Sequence, residues 1–184
     1  MRDYDRTKVI PSNGEFQTLP AGGYVCRISS AVDVPDKEYV YVEYDIAEGE
    51  FKGYHDKGYQ RAKFWGGRMY RSYKDAALPM FEAFLQAVEK TNIGYQWDRN
   101  PASLIGKGIG IVTRDEEYMG EDKQNGGEKL KVRQSVAYVL PVADIRTGNY
   151  TVPEKKLLTQ TAPQQAMNAP MGFTPISDDA PLPF

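Results

Sequence analysis

Apolar and polar residues alternate along two early segments, 23–34 and, more cleanly, 38–46. Successive side chains of a strand point to opposite faces, so the alternation predicts two strands that each bury one face. Pro35-Asp36 between them is typical of a turn, and we expect a hairpin. The core face of the second strand is expected to hold Val40, Val42, Tyr44 and Ile46, which leaves Tyr39 and Tyr41 on the opposite face.

The rest of the pattern predicts three more strands and one helix. A third strand is expected from 60 to 73, with a bend or bulge at Gly66-Gly67. From Pro79 to Lys90, apolar residues recur every three or four positions, which indicates an amphipathic helix. Strands at 104–114 and 129–142 follow, joined by a turn at Asn125-Gly126-Gly127. The order predicts a mainly β fold: a five-stranded OB-type barrel with one helix between strands three and four.

The chain is expected to divide into three parts. Residues 1–18 show no sustained period and are interpreted as an N-terminal arm, and residues 19–150 as the OB-type domain. Residues 151–184 are rich in Gln, Ala, Pro and Met in their later part and lack Lys and Arg from Thr159 onward. This composition predicts a flexible, disordered C-terminal tail.

Composition narrows the function classes. Aromatic residues make up 12% of the chain, which suits a β-rich binding protein, whereas the net charge of −2 does not favour nucleic-acid binding by itself. A single cysteine, Cys26, excludes an intramolecular disulfide, and one histidine leaves no Cys/His set for zinc. No apolar run approaches the roughly 20 residues of a membrane helix, so a cytoplasmic protein without membrane contact and without cofactors is expected.

Aromatic and basic residues on the predicted strands are the candidates for nucleic-acid contact. Proteins that bind single strands combine aromatic rings that stack on bases with cations that follow the phosphates. The alternatives are that the rings are core or cross-strand partners and that the cations form a solvated sheet face. The candidate DNA-binding residues are Tyr39, Tyr41, Arg61, Lys63, Trp65, Arg68, Tyr70, Arg71, Lys107, Lys129, Lys131 and Arg133.

The sequence offers little support for catalysis. The acidic cluster of residues 115–122 lacks the spacing of a calcium loop and is interpreted as a solvated hairpin tip, although a metal-dependent nuclease stays as an alternative. His55 lies in a segment interpreted as a Gly- and Lys-rich loop, without a nucleophile signature nearby. Cys26 is expected to face the core. We therefore expect a binding protein and not an enzyme.

The last residues are a candidate partner-binding motif. They resemble the C-terminal tip of bacterial single-stranded DNA-binding proteins, where acids precede a Pro-Phe end. A terminal Phe offers a ring for an apolar pocket and a carboxylate for a basic clamp. The resemblance implies contacts with a polymerase, helicase, primase or recombinase, made by Asp178, Asp179, Pro181, Leu182, Pro183 and Phe184.

Three stretches together resemble a family of phage-encoded single-stranded DNA-binding proteins. They are Leu19-Pro20-Ala21-Gly22-Gly23-Tyr24, Tyr39-Val40-Tyr41-Val42-Glu43-Tyr44 and Leu104-Ile105-Gly106-Lys107-Gly108-Ile109. The resemblance implies an OB-fold, binding of single strands with little sequence preference during phage replication and recombination, and a bacterial host cytoplasm. A homo-oligomer is compatible with such a barrel. The alternative is a phage accessory module that binds proteins and does not contact nucleic acid.

Overall fold

The computed structural model describes residues 18–63, 65–122 and 125–158. The predicted N-terminal arm, apart from Thr18, and the acidic Pro-Phe tip lie outside these ranges. In chain order, the elements are β1 (Gly23–Val34), β2 (Tyr39–Ile46), α1 (Tyr54–Ala62), β3 (Arg68–Ser72), α2 (Leu78–Thr91), β4 (Gly108–Glu121), β5 (Glu128–Leu140) and α3 (Val142–Thr147). Short 3-10 helices occupy Pro35–Lys37, Asp75–Ala77 and Pro101–Leu104.

The five strands form one antiparallel sheet in the order β3-β2-β1-β4-β5. The central strand β1 pairs with β2 and β4, and its register shifts at a bulge between Ile28 and Ser30. Within the described ranges, no pairing joins β3 to β5. The mainly β, five-stranded prediction is thus confirmed, and the pairings within the described ranges are those of an open sheet.

The core lies between one face of the sheet and α2. The predicted alternation of β2 is confirmed, because its residues from Val40 to Ile46 are alternately buried and half-buried. The helical stripe predicted at 79–90 is also confirmed by α2, whose Phe84 and Val88 are fully buried. Ile109 of β4 and Leu104 are likewise inaccessible to solvent, so the helix and four strands, β1 to β4, share one apolar interior.

The predicted third strand is wrong over its first half. Residues 54–62 form the helix α1, and β3 is only five residues long, so His55 is helical and not in a loop. The reason is tertiary: the Asp45 carboxylate of β2 accepts the backbone N–H groups of His55 at 2.9 Å and Asp56 at 3.2 Å. This carboxylate caps the helix from a neighbouring strand. The fold therefore has three α-helices in its described part, where a single helix was expected.

The β4–β5 hairpin differs from its prediction in where it begins and turns. β4 starts at Gly108, so Ile105 lies outside it and is 48% exposed. The acidic residues 115–121 belong to β4 and not to a hairpin tip. The turn at Asn125-Gly126-Gly127 is confirmed, with Gly126 and Gly127 at φ of 72° and 82°, values that favour glycine.

A short segment beyond the predicted domain boundary also packs on the sheet. Lys156 forms a parallel bridge with Glu116 of β4. The backbone N–H of Lys156 donates to the backbone carbonyl of Asp115 at 2.8 Å, and its carbonyl accepts from the backbone N–H of Glu117 at 2.9 Å. Residues 155–158, expected in the flexible tail, therefore contact β4. None of the helices in the described ranges is long and apolar enough to span a membrane.

Candidate nucleic-acid interface

Three tyrosines cluster on the face of the sheet that points away from the core. Tyr41 and Tyr70 are direct cross-strand partners, with ring centroids 5.3 Å apart, and Tyr39 meets Tyr70 edge to face at 5.2 Å. Strand alternation places them there because their neighbours Val40 and Met69 face the core. We call Tyr39, Tyr41 and Tyr70 the tyrosine patch.

The tyrosine patch is accessible to a ligand. Tyr70 is 55% exposed, and Val32, which is paired with Tyr41 from β1, is 51% exposed. Val32, Tyr41 and Tyr70 therefore form an apolar row across three strands. Exposed rings of this kind retain a free face on which a base can stack.

The polar surroundings hold Tyr41 in its neutral form. Its hydroxyl donates to Glu43 Oε1 at 2.7 Å. Burial, followed by this carboxylate, raises the pKa of Tyr41 to about 12, and Arg68 acts in the opposite direction. The ring therefore stays uncharged near neutral pH and does not repel phosphates.

Cations lie at two ends of the patch, and one end also carries the acid Glu43. Arg68 shares the outer face with Tyr70 and is paired in register with Glu43. The exposed Lys37 and Lys74 lie two residues from Tyr39 and Ser72, which are themselves cross-strand partners. Both lysines thus emerge at the same end of the patch.

Arg71 does not belong to this surface. It is paired with the buried Val40 and faces the interior, where it is 8% exposed and its guanidinium carbon lies 5.7 Å from the Phe84 ring centroid. Burial lowers the pKa of Arg71, although Tyr44 opposes the shift. The side chain lines a cleft of about 780 Å³ between β3 and the β4–β5 hairpin.

The predicted basic face of β5 is present, but acids of β4 and of the residue that follows it pair with two of its cations. Lys129, Lys131 and Arg133 share one face, as their spacing indicated. Lys129 pairs with Asp122 at 3.0 Å, and Arg133 pairs with Glu116 at 3.1 Å. These ion pairs are largely solvent-exposed on the cation's side, where such pairs contribute little, so a phosphate can compete for the cations.

Glu116 is held firmly as a carboxylate at the centre of this network. A hydrogen bond from Lys156 and, less strongly, one from Arg133 lower the pKa of Glu116 against the effect of burial. Arg133 also lies over the ring of Tyr118, 5.1 Å from its centroid. Sequence reasoning did not single out Tyr118, because the acidic residues around it suggested a hairpin tip. The segment 114–118 has no apolar–polar alternation that would have marked it as a strand.

Four of the predicted contact residues lie apart from the tyrosine patch. Arg61 and Lys63 belong to the end of α1, and Lys63 Nζ lies 5.5 Å from the Tyr59 ring centroid. The half-buried Trp65 donates its indole N–H to Gly67 at 2.9 Å and packs against α1. Lys107 precedes β4 and lies 4.5 Å from the Tyr95 ring centroid.

The acidic residues do not form a metal centre in the described part of the chain, where no group of three or more metal-ligating side chains occurs.

No protein-family model matches this chain, and the search of curated proteins finds no match either. The tyrosine patch and its surroundings carry the chemistry from which a function can be inferred.

Proposed function

We propose that this protein binds single-stranded DNA on the outer face of β2 and β3, within an OB-type barrel. The observation that carries the proposal is the tyrosine patch: three adjoining rings on a sheet face that has no core to cover. The strand order β3-β2-β1-β4-β5 supports it, because closing this sheet between β3 and β5 would give the five-stranded barrel of OB-folds. OB-folds bind oligonucleotides on the face of strands two and three.

The binding mechanism combines stacking with charge neutralisation. Bases stack on Tyr39, Tyr41 and Tyr70, while Arg68, Lys37 and Lys74 neutralise phosphates along the rim. Stacking is tolerant of sequence because every base has a π face. Glu43 lies beside Tyr41 and repels phosphates, so the backbone follows the cations and avoids this carboxylate.

The C-terminal tip extends this proposal from binding to recruitment. Residues 178–184 would bring replication or recombination enzymes to the coated strand in the host cytoplasm, as the resemblance to phage and bacterial proteins suggests. The cations of β5, of which Lys129 and Arg133 are paired with Asp122 and Glu116, would form the second wall along which the strand passes.

The test is fluorescence anisotropy with a labelled dT oligonucleotide and its duplex counterpart, over a series of salt concentrations. We expect the single strand to bind better and its affinity to fall linearly with the logarithm of salt concentration. Tyr70→Leu should lower the affinity by about 1–3 kcal/mol, the contribution of one stacked base.

Tyr59→Leu is the matched control, because Tyr59 is an exposed tyrosine of α1 outside the patch. Its affinity should stay within about twofold of the wild type, since no stacking ring is lost. Equal losses for the two variants, or equal binding of single strand and duplex, would contradict the proposed interface.

One observation favours a second function, a protein-interaction module. Met119, Leu130 and Val132 share the other face of the β4–β5 hairpin, and each is about half exposed. Exposed apolar side chains that adjoin one another are typical of protein contact sites. Oligonucleotide binding that is absent at low salt would favour this alternative over the first proposal.

A further inference from the structure

The strongest unexplained feature is the buried guanidinium of Arg71. Its Nε and Nη2 atoms have no hydrogen-bond partner within the described residues, although the side chain is more than nine-tenths buried. These two nitrogens form the edge of a guanidinium that donates two parallel hydrogen bonds to a carboxylate or phosphate. A buried cation with two unpartnered nitrogens costs stability, and its presence in the folded protein points to a ligand.

The cleft that Arg71 lines is suited to an anion. Among the described lining residues, Arg68, Arg71 and Arg133 contribute three positive charges against the single carboxylate of Glu116. Clefts with one dominant sign of charge concentrate the field and attract ions of opposite sign. Ser135 also lines the cleft, and its buried hydroxyl has no partner among the described residues.

We propose that the cleft between β3 and the β4–β5 hairpin binds a phosphate group through the Nε–Nη2 edge of Arg71. A phosphate has more acceptor oxygens than a carboxylate, so two can accept from Arg71 while a third accepts from the Ser135 hydroxyl. Arg71 and Tyr70 point to opposite faces of β3, so Arg71 reaches the cleft from the core side, although Arg68 and Tyr70 of the outer face also line it. Its ligand is a free phosphate or one that belongs to a nucleic-acid strand.

The experiment is a calorimetric titration of the full chain with inorganic phosphate at constant ionic strength. One phosphate should bind per chain. Arg71→Met should weaken binding by at least about tenfold, since it removes two charge-assisted hydrogen bonds. Arg71→Lys keeps the positive charge but loses the two parallel N–H donors. Its phosphate affinity should lie between that of the wild type and that of Arg71→Met.

Arg27→Met is the matched control, because Arg27 is exposed and lies outside the cleft. Its phosphate affinity should equal that of the wild type. In phosphate-free buffer, Arg71→Met should melt no lower than the wild type, since it removes an unpartnered buried charge. A lower melting temperature together with unchanged phosphate affinity would assign Arg71 a structural role against Phe84 and overturn the proposal.

Oligonucleotides and acetate distinguish the sources of the ligand. The first comparison is between dT oligonucleotides with and without a 5′-phosphate. If the 5′-phosphate tightens binding to the wild type but not to Arg71→Met, the site binds a strand terminus. If Arg71→Met loses affinity equally for both oligonucleotides, the site binds an internal phosphate of the strand. If Arg71→Met loses affinity for neither oligonucleotide, the ligand is a free phosphate. Absence of phosphate binding, or displacement by acetate at equal concentration, would overturn the proposal. Tyr39→Leu should leave inorganic phosphate binding unchanged, because Tyr39 belongs to the tyrosine patch but does not line the cleft, and this result would separate the site from the proposed DNA interface.

Discussion

His55 is the single histidine of the chain, and its environment opposes charge. It is 8% exposed, its ring packs edge to face against Tyr44 and Tyr54, and its Nε2 atom has no hydrogen-bond partner among the described residues. Burial lowers the pKa of His55, and the nearby Asp45 carboxylate only partly opposes this shift. The imidazole is therefore neutral in the folded protein near neutral pH.

The first prediction is that the free energy of unfolding falls as the pH drops below the ordinary histidine pKa of 6.5. Below that pH, His55 takes up a proton in the unfolded chain but stays neutral in the folded protein. The contribution of His55 to the free energy of unfolding is therefore complete above pH 6.5 and is lost on acidification. The slope for one proton is at most about 1.4 kcal/mol per pH unit. Urea denaturation at pH 7.5 and 5.5 measures it.

His55→Phe is the control, because it retains an aromatic ring and removes the titrating group. Its loss of stability between the two pH values should be smaller than that of the wild type, since carboxylates contribute equally to both. A proton NMR titration in which the imidazole titrates at or above pH 6.5 would refute the argument.

At the scale of elements, α1 depends on a residue distant in sequence. The helix begins after Gly53, whose φ of 71° suits glycine, and it lacks a side-chain cap of its own. Asp45 supplies the acceptor from β2 instead, and also accepts the N–H of Ile46 at 2.8 Å. A prediction from local pattern could not find this helix, because the signal that fixes its start lies ten residues upstream.

The second prediction concerns this cap. Asp45→Ala should lower the free energy of unfolding by about 1–2 kcal/mol, the usual cost of a lost helix cap. Asp56→Ala is the matched control, because Asp56 is an exposed acid in the first turn of α1 that does not cap it. Thermal unfolding followed by circular dichroism compares them, and equal losses would show that Asp45 acts only by its charge.

At the scale of the whole molecule, the sheet is held together by long hairpins and a C-terminal strap. The residues 155–158 lie along β4, with Lys155 and Lys156 paired to Glu117 and Glu116 at 2.6 Å. Tyr138 of β5 also donates its hydroxyl to the carbonyl of Thr151 at 2.5 Å. The ordered domain therefore extends past the boundary at 150 that composition suggested.

The third prediction compares two truncated chains. A chain that ends after Leu158 should be as stable as the full chain, whereas one that ends after Pro153 should lose about 1–3 kcal/mol with the two backbone hydrogen bonds of Lys156. Urea denaturation measures both. Identical stabilities for the two truncated chains would show that residues 154–158 contribute nothing to the fold.

The sequence by itself determined the elements whose signal is local. The alternation of β1 and β2, the apolar stripe of α2 and the glycine turn of the β4–β5 hairpin were each readable because their periods match the geometry of a strand, helix or turn. The same alternation placed Tyr39 and Tyr41 opposite the core face. Lys129, Lys131 and Arg133 share a face for the same reason.

Only the tertiary structure decided what depends on distant residues. The cap that Asp45 gives to α1, the burial of Arg71 in the cleft, and the pairing of the β5 cations with the acids of β4 all join segments that are separate in the chain. A local pattern reports the period of a segment but not which element it meets. The exposure of a side chain, the charges around it and its partners all depend on which elements pack together. The tyrosine patch and the cleft could therefore be identified only in the folded chain.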